Sequence, residues 1–247
     1  MLNIEYSDIF IPTTDKNLLH GWHLKTKEPS IGTIIFLHGN AENISTHIRS
    51  VYWLVKFGYQ IVIIDYQGYG RSTGTASLEG ALNDVVNTVD FTLNKIRNKK
   101  NVPTYILGQS LGASLAITAL THSEHLMEKI DGYILEAPFA NFRQITRDAL
   151  GKNWLTWPLQ YPLSWTITNN YNPEDTIHKL RDRPVLFIYS EEDQIIPFHH
   201  YKQLNKKLNS QKSYLLKTHD KHIRSLLYKA YREKLLYFLK HQSLSDD

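Results

Sequence analysis

This 247-residue chain predicts an α/β fold in which helices cover both faces of a mostly parallel central sheet, and three observations carry that expectation. Continuous apolar runs of strand length recur along it, as in strands buried on both faces. The segments between them repeat apolar residues at three- and four-residue steps, the period of an amphipathic helix, so strand and helix alternate. The length is ordinary for one such domain, which can bury roughly 70–75% of its unfolded surface.

The first segments, Ile4 to Thr13 and Leu18 to Lys25, alternate apolar and polar residues and meet across Thr14-Asp15-Lys16-Asn17. That pattern predicts an antiparallel hairpin at one sheet edge. Thr33 to Leu37 is the first buried strand, and Ile44, Ile48, Val51 and Val55 predict a helix after it. Gln60 to Ile64 is the next strand. Leu78, Leu82, Val85, Val89, Leu93 and Ile96 then mark a second helix, started by Ser77 with Glu79 in its first turn. Thr104 to Leu107, Tyr133 to Leu135, Val185 to Tyr189 and Ser213 to Leu216 complete the strands. A small-residue helix, Ala113 to Leu120, follows the first of these, and a closing helix is expected from Ile223 through Leu227, Ala230 and Phe238 to Leu239. Beyond it, His241 to Asp247 is polar and expected to fray.

One stretch breaks the rhythm. Between about residues 140 and 178, Trp154, Trp157, Tyr161, Trp165 and Tyr171 crowd around Pro158 and Pro162. Two readings are open: a small aromatic cap over the carboxyl edge of the sheet, with Trp154, Trp157, Tyr161 and Trp165 lining a substrate pocket, or rings that glue an excursion to the body. The expected organisation is a single domain over 1–247 carrying this cap-like insertion.

Composition excludes several classes of function. With no cysteine there is no disulfide, thiolate nucleophile or cysteine-bound zinc. The formal charge of +4 comes from dispersed clusters such as Lys95 to Lys100 and Lys202 to Lys212, without aromatic interleaving or a nucleic-acid motif, so no nucleic-acid partner is expected. No apolar run approaches the ~20 residues of a membrane span, and Met1 to Pro12 does not read as a signal peptide. Cytoplasmic localisation is the default expectation, and nothing specifies a membrane contact or an oligomeric state.

The chemistry begins at Gly108-Gln109-Ser110-Leu111-Gly112, set between an apolar strand and a helix. This is the setting of a nucleophile elbow, a turn so tight that glycine is wanted two residues either side of the serine. A serine hydroxyl needs a base to take its proton and a carboxylate to orient that base. Val185 to Tyr189 is followed by Glu191, Glu192 and Asp193, and Ser213 to Leu216 by His219 and His222. An acid and a histidine thus follow consecutive strands, with the choice among these residues open.

These features resemble the α/β-hydrolase superfamily, in particular its serine-hydrolase branch with an H-G-N-A oxyanion loop, which includes esterase-like and depalmitoylase-like members. The resemblance spans almost the whole chain and rests on Leu37-His38-Gly39-Asn40-Ala41, Asp65 to Ser72, the elbow, Glu136-Ala137-Pro138-Phe139, and the aspartate before Ile195-Ile196-Pro197. It implies Ser110, Asp193 and His222 as catalytic residues, favouring Asp193 over Glu191 and Glu192, and His222 over His219. The loop around His222 departs from the family's glycine-containing form at Thr218, Asp220 and Lys221. Resemblance also implies backbone N–H donors of Asn40 and Leu111 as the oxyanion hole, with His38 structural. The implied activity needs no cofactor: hydrolysis of a carboxylic ester or thioester on a small-molecule or acyl substrate, through an acyl-enzyme. Amide, peptide or carbon–carbon bond hydrolysis by the same residues is the alternative, and a non-catalytic ligand-binding homologue is a third reading.

Other features receive ordinary readings. Gly68-Tyr69-Gly70-Arg71-Ser72 follows a strand as a surface turn, not a phosphate cradle. His199-His200 lacks a third ligand at sensible spacing, so no metal is expected and the pair is read as a helix start. His122 and His125 decorate a helix end, and Asn43-Ile44-Ser45 is a sequon awkwardly close to the oxyanion loop.

Overall fold

The computed structural model describes residues 5–97, 102–152 and 156–244; Ile4, Trp154 and the last three residues lie outside it, as does the side chain of Trp157. Among the described residues eight strands form one sheet in the order β1-β2-β4-β3-β5-β6-β7-β8. They are β1 (Tyr6–Pro12), β2 (Leu18–Leu24), β3 (Gly32–Leu37), β4 (Tyr59–Ile64), β5 (Thr104–Gln109), β6 (Gly132–Glu136), β7 (Val185–Ser190) and β8 (Ser213–Thr218). The hairpin β1–β2 is antiparallel, pairing Tyr6 with Leu24 and Pro12 with Leu18, and β2 joins β4 antiparallel. From β4 to β8 every pairing is parallel. This is the α/β-hydrolase fold.

Alternating side chains divide the buried strands between two cores. Ile35, Leu37, Ile64, Ile106, Leu135 and Phe187 face one layer, and Ile34, Phe36, Ile63, Leu107, Leu186 and Leu216 face the other. With the side-chain period fixed at two, a slip of one residue would exchange the two sets, but here both faces are apolar, so helix packing must hold the register. The first layer is covered by α2 (Leu78–Phe91), α3 (Leu111–Thr121) and α8 (His199–Leu208), and the second by the turns at 44–57 and by α9 (Lys229–His241). Ser77 caps α2 by accepting from the Gly80 amide at 3.0 Å. No helix among the described residues is long and apolar enough to cross a membrane.

Two helices differ from the sequence expectation. Of the predicted apolar face Ile44, Ile48 and Val51 are buried and Val55 half-buried, but the backbone breaks into one α turn, α1 (Ile44–His47), and two 3-10 segments, Ile48–Ser50 and Tyr52–Phe57. The break has a local cause: the Trp53 indole donates to the Ser50 carbonyl at 2.8 Å, and Val51 leaves helical geometry at φ −128°. The closing helix starts at Lys229 rather than near Ile223, because Ile223 has φ +49° and Tyr228 is extended. The chain needs those residues for a loop.

Between β6 and β7 the chain forms α5 (Phe142–Gly151), a 3-10 turn at Trp157–Leu159, and α6 (Gln160–Trp165), with the short α4 (Glu124–Met127) before β6 and α7 (Pro173–Thr176) after α6. Asn141 caps α5 by accepting from the Gln144 amide at 3.0 Å, and Arg143 ties it to the Ile167 carbonyl at 2.8 Å.

Candidate active site

In the sheet order, β4 lies on one side of β3 and β5 on the other, so the chain reverses its winding between β3 and β5. Open parallel sheets bind ligands outside the carboxyl ends of their strands at such a point. Leu37 at the end of β3 pairs with Gly108 near the end of β5, which puts His38-Gly39-Asn40 beside Ser110. Gly39 makes the approach close: a Cβ there would stand 3.5 Å from both the Ser110 Cβ and the Ile223 Cδ1.

Backbone strain marks the same edge. Of the eight non-glycine residues with positive φ among those described, Ala41 and Glu42 follow β3, Ser110 follows β5, Ala137 follows β6 and Ile223 follows β8. Each such residue costs on the order of 1–3 kcal/mol, and strain of this kind persists only where the surroundings over-determine it. Ser110 stands at φ +51° and ψ −115°, held by its amide donating to the Glu136 carbonyl at 2.8 Å. Glycine is obligatory on both sides of this turn. A Cβ on Gly108 would meet Ala113 Cα at 2.5 Å, and one on Gly112 would meet the Leu37 and His38 carbonyl oxygens at 2.2 and 2.4 Å. Since neither the Leu37 carbonyl at the end of β3 nor the His38 carbonyl just after it can yield without moving the sheet edge and the loop beside Ser110, Gly112→Ala is expected to cost about 3 kcal/mol, read as a lower urea midpoint.

Ser110 is buried, and its Oγ makes no hydrogen bond among the described residues. Leu111, the next residue, begins α3, so its amide is one of the helix-terminal donors that lack an intrahelical acceptor. The N-terminus of α3 also favours negative charge there. Asn40 is exposed on the facing loop, and its Oδ1 accepts from the Tyr69 hydroxyl at 2.7 Å. The Tyr66 hydroxyl donates to the His38 carbonyl at 3.2 Å.

Asp193 and His222 meet. His222 Nδ1 lies 2.6 Å from Asp193 Oδ2, with the carboxylate side chain only 1% exposed. Asp193 Oδ1 accepts from the amides of Ile195 and Ile196 at 2.7 and 3.0 Å, so both oxygens are committed and the carboxylate cannot rotate freely. An ionised acceptor at Nδ1 puts the ring proton there and leaves Nε2 as the lone-pair nitrogen. Of the other candidates, Glu191 pairs with Lys217 at 3.1 Å, and Glu192 and His219 are exposed.

Glu136 is the residue whose part the sequence reading missed. It ends β6, is 1% exposed, and accepts from Gln109 Nε2 at 2.6 Å and from the Ser225 amide at 3.1 Å. One carboxylate therefore joins the strand end that carries Ser110 to the loop that carries His222. Burial raises its pKa, while the hydrogen bonds from Gln109 and Ser225 and the charge of His222 lower it. The available signal was a charged residue closing a continuous apolar run. In Glu136→Gln one amide hydrogen must face a donor, so we expect a loss of ~1–3 kcal/mol in stability and a kcat fall of roughly 10- to 100-fold from a displaced His222 loop. Urea titration and steady-state kinetics on one preparation check both.

His38 is fully buried, its Nδ1 donating to the Gly39 carbonyl at 2.7 Å while the ring stacks on His47 with centroids 5.0 Å apart. Burial depresses its pKa to about 4, so it is a neutral prop beneath the loop. The structure supplies His199 and His200 with a neighbour that spacing concealed: Asp148 Oδ2, on α5, lies 3.1 and 3.0 Å from their Nε2 atoms. The ring of His200 accepts the Ala140 amide at Nδ1, 3.2 Å away, so its proton sits on Nε2 and points at Asp148. With burial holding its pKa down at about 4, His200 acts as a neutral hydrogen-bond bridge from α5 to α8, and its Nε2 offers no lone pair to a cation.

Of the four cap aromatics, the side chains of Tyr161 and Trp165 are described, and neither lines the groove beside Leu111. Tyr161 and Trp165 are 53% and 68% exposed, and Arg147 sits over the Tyr161 ring at 5.7 Å. The groove that borders Leu111 is lined instead by Tyr69, Leu78, Ala81, Leu115, Phe142 and Ile167 among others, and encloses about 390 Å³. The six-residue α6 turns its rings outward, and α5 supplies the wall.

The Hydrolase_4 family model, described as serine aminopeptidase, S33, matches residues 28–183. Among curated proteins the chain is 28% identical over 209 residues to the uncharacterized protein YfhR of Salmonella typhi, covering 78% of this chain and 66% of YfhR. It is 31% identical over 200 residues to lysophosphatidylserine lipase ABHD12 of Macaca fascicularis, covering 76% of this chain and 47% of the lipase. The chain thus spans about two-thirds of one relative and about half of the other. Among solved structures it resembles the Pyrococcus furiosus esterase Pf2001, with a TM-score of 0.79 at 20% identity over 98% of this chain and 91% of the esterase chain.

Proposed function

The chain belongs to the Hydrolase_4 family, serine aminopeptidase S33, and on that premise we propose that it cleaves a carboxylic ester or thioester through an acyl-enzyme. The observation that carries this reading is the buried Asp193 carboxylate at 2.6 Å from His222 Nδ1, across the same sheet edge as the strained Ser110 turn. Ser110 Oγ attacks the substrate carbonyl carbon as its proton passes to His222 Nε2. The carbonyl oxygen becomes an oxyanion, stabilised by the amides of Leu111 and Asn40, each contributing roughly 3–4 kcal/mol. Collapse of the intermediate expels the alcohol or thiol, which takes the proton from His222. Water then repeats the sequence on the acyl-serine and releases the acid.

The apolar groove beside Leu111 suits the acyl group. At about 390 Å³ it sits at the small end of ligand pockets, which favours short to medium chains. Hydrolysis of p-nitrophenyl esters from acetate to palmitate is expected to peak below the longest chains. Ala81→Trp, which fills the groove, should lower kcat/KM for octanoate while sparing acetate. A flat chain-length profile, unaltered by Ala81→Trp, would remove the groove from the account. The family description favours one second reading, aminopeptidase action by the same residues. Turnover of aminoacyl p-nitroanilides faster than of the matched esters would select it.

A further inference from the structure

A second cleft, separate from the Leu111 groove, is bordered by His222. It encloses about 580 Å³ and is lined by His222, Arg224, Arg49, His47, Ser45 and Glu42, among others. Whereas the Leu111 groove is apolar, this one carries two guanidinium groups. Neither Arg49 nor Arg224 has a side-chain hydrogen bond or an ion pair among the described residues, and Glu42 pairs with neither. By contrast, Arg143, Arg183 and Arg232 each donate to a backbone carbonyl.

The chemistry of the reaction gives this cleft a role. The base that receives the Ser110 proton must return it to the departing oxygen or sulfur, so the leaving group lies on the side of His222. The acyl part then occupies the Leu111 groove, and the alcohol or thiol part enters the cleft that His222 borders. Two unpaired guanidiniums are matched by a phosphate or carboxylate, which each can bind through paired N–H donors. The single carboxylate on the described wall, Glu42, leaves an excess of positive charge.

Resting on the ester-hydrolase reading, we infer that Arg49 and Arg224 select substrates whose leaving group carries an anionic substituent, such as a phosphorylated alcohol. The acyl group stays apolar, and neither arginine takes part in bond making or breaking.

The test compares monobutyrin with 1-butyrylglycerol 3-phosphate, two soluble esters that differ only in the phosphate. Wild-type kcat/KM is expected to favour the phosphorylated ester by at least ~10-fold, with the preference shrinking as salt rises. In the double variant Arg49→Gln/Arg224→Gln the preference should vanish while monobutyrin turnover stays within about twofold of wild type. Equal preference in the double variant, or no preference in wild type, overturns the inference. So does a preference confined to long-chain micellar esters, which would assign the arginines to attraction toward a charged lipid surface. Calorimetric titration with glycerol 3-phosphate separates this inference from the catalytic reading. Binding by wild type and none by the double variant supports the cleft even if no ester is turned over, and absence of binding by wild type overturns it. Lack of turnover of both esters and of p-nitrophenyl butyrate counts against the hydrolase reading alone.

Discussion

Ser110→Ala is expected to lower kcat for p-nitrophenyl butyrate by about 10⁶-fold, an effect that loss of the His222 imidazole should match. The size follows from the division of labour: nucleophile and base act as one unit, so removing the hydroxyl forfeits what both supply. The variant should fold. Ser110 Oγ has no hydrogen bond to lose among the described residues, and alanine meets no greater steric obstacle than serine at φ +51°. Stability is therefore expected within ~0.5 kcal/mol of wild type, checked by urea denaturation. A Ser110→Ala protein that unfolds at the same urea concentration and retains full activity would assign the nucleophile elsewhere.

Asp193→Asn is expected to lower kcat by about 10⁴-fold with little change in KM. An asparagine keeps the shape and can still accept the Ile195 and Ile196 amides through Oδ1. Its Nδ2 then faces His222 Nδ1 as a donor, which forces the ring proton onto Nε2. In that tautomer the nitrogen that must take the Ser110 proton already carries one. Removing a charge from a buried site also removes the stabilisation of the imidazolium formed during attack. Glu191→Gln is the internal comparison, because that carboxylate is on the surface with Lys217 and should be silent. If Glu191→Gln proves the damaging change and Asp193→Asn the silent one, the assignment of the acid is wrong.

Much of the fold was legible because its signals are local. Ile61 to Ile64 and Leu186 to Tyr189 are apolar on both faces, and only a strand between two helical layers buries such a run. The setting of Ser110 was legible for the same reason, since the glycines at 108 and 112 are demanded by contacts with Ala113 and Leu37 that any tight strand-to-helix turn would make. Features decided by tertiary partners were not. Ile44 to Val55 has helical spacing, yet the Trp53 indole takes the Ser50 carbonyl and the helix breaks. Glu136 looks like an unremarkable strand end until Gln109 and Ser225 are seen to share its carboxylate. Asp148 is 51 residues from His199 in sequence and 3.1 Å away in space. Trp165 is one of the aromatic rings that made the insertion look like a pocket wall, and it is largely exposed on a helix that packs against α5.

The central claim is that Ser110 is activated by His222 with Asp193 behind it. Reaction of the folded protein with a fluorophosphonate, followed by peptide mapping, tests it most directly, because such a reagent phosphonylates a serine only where a base draws off its proton. The account predicts one adduct, on Ser110, formed quickly by wild type, at least ~10³-fold more slowly by His222→Ala, and not at all after unfolding in urea. An adduct on a different serine, or equal labelling of Ser110 in wild type and His222→Ala, would contradict it.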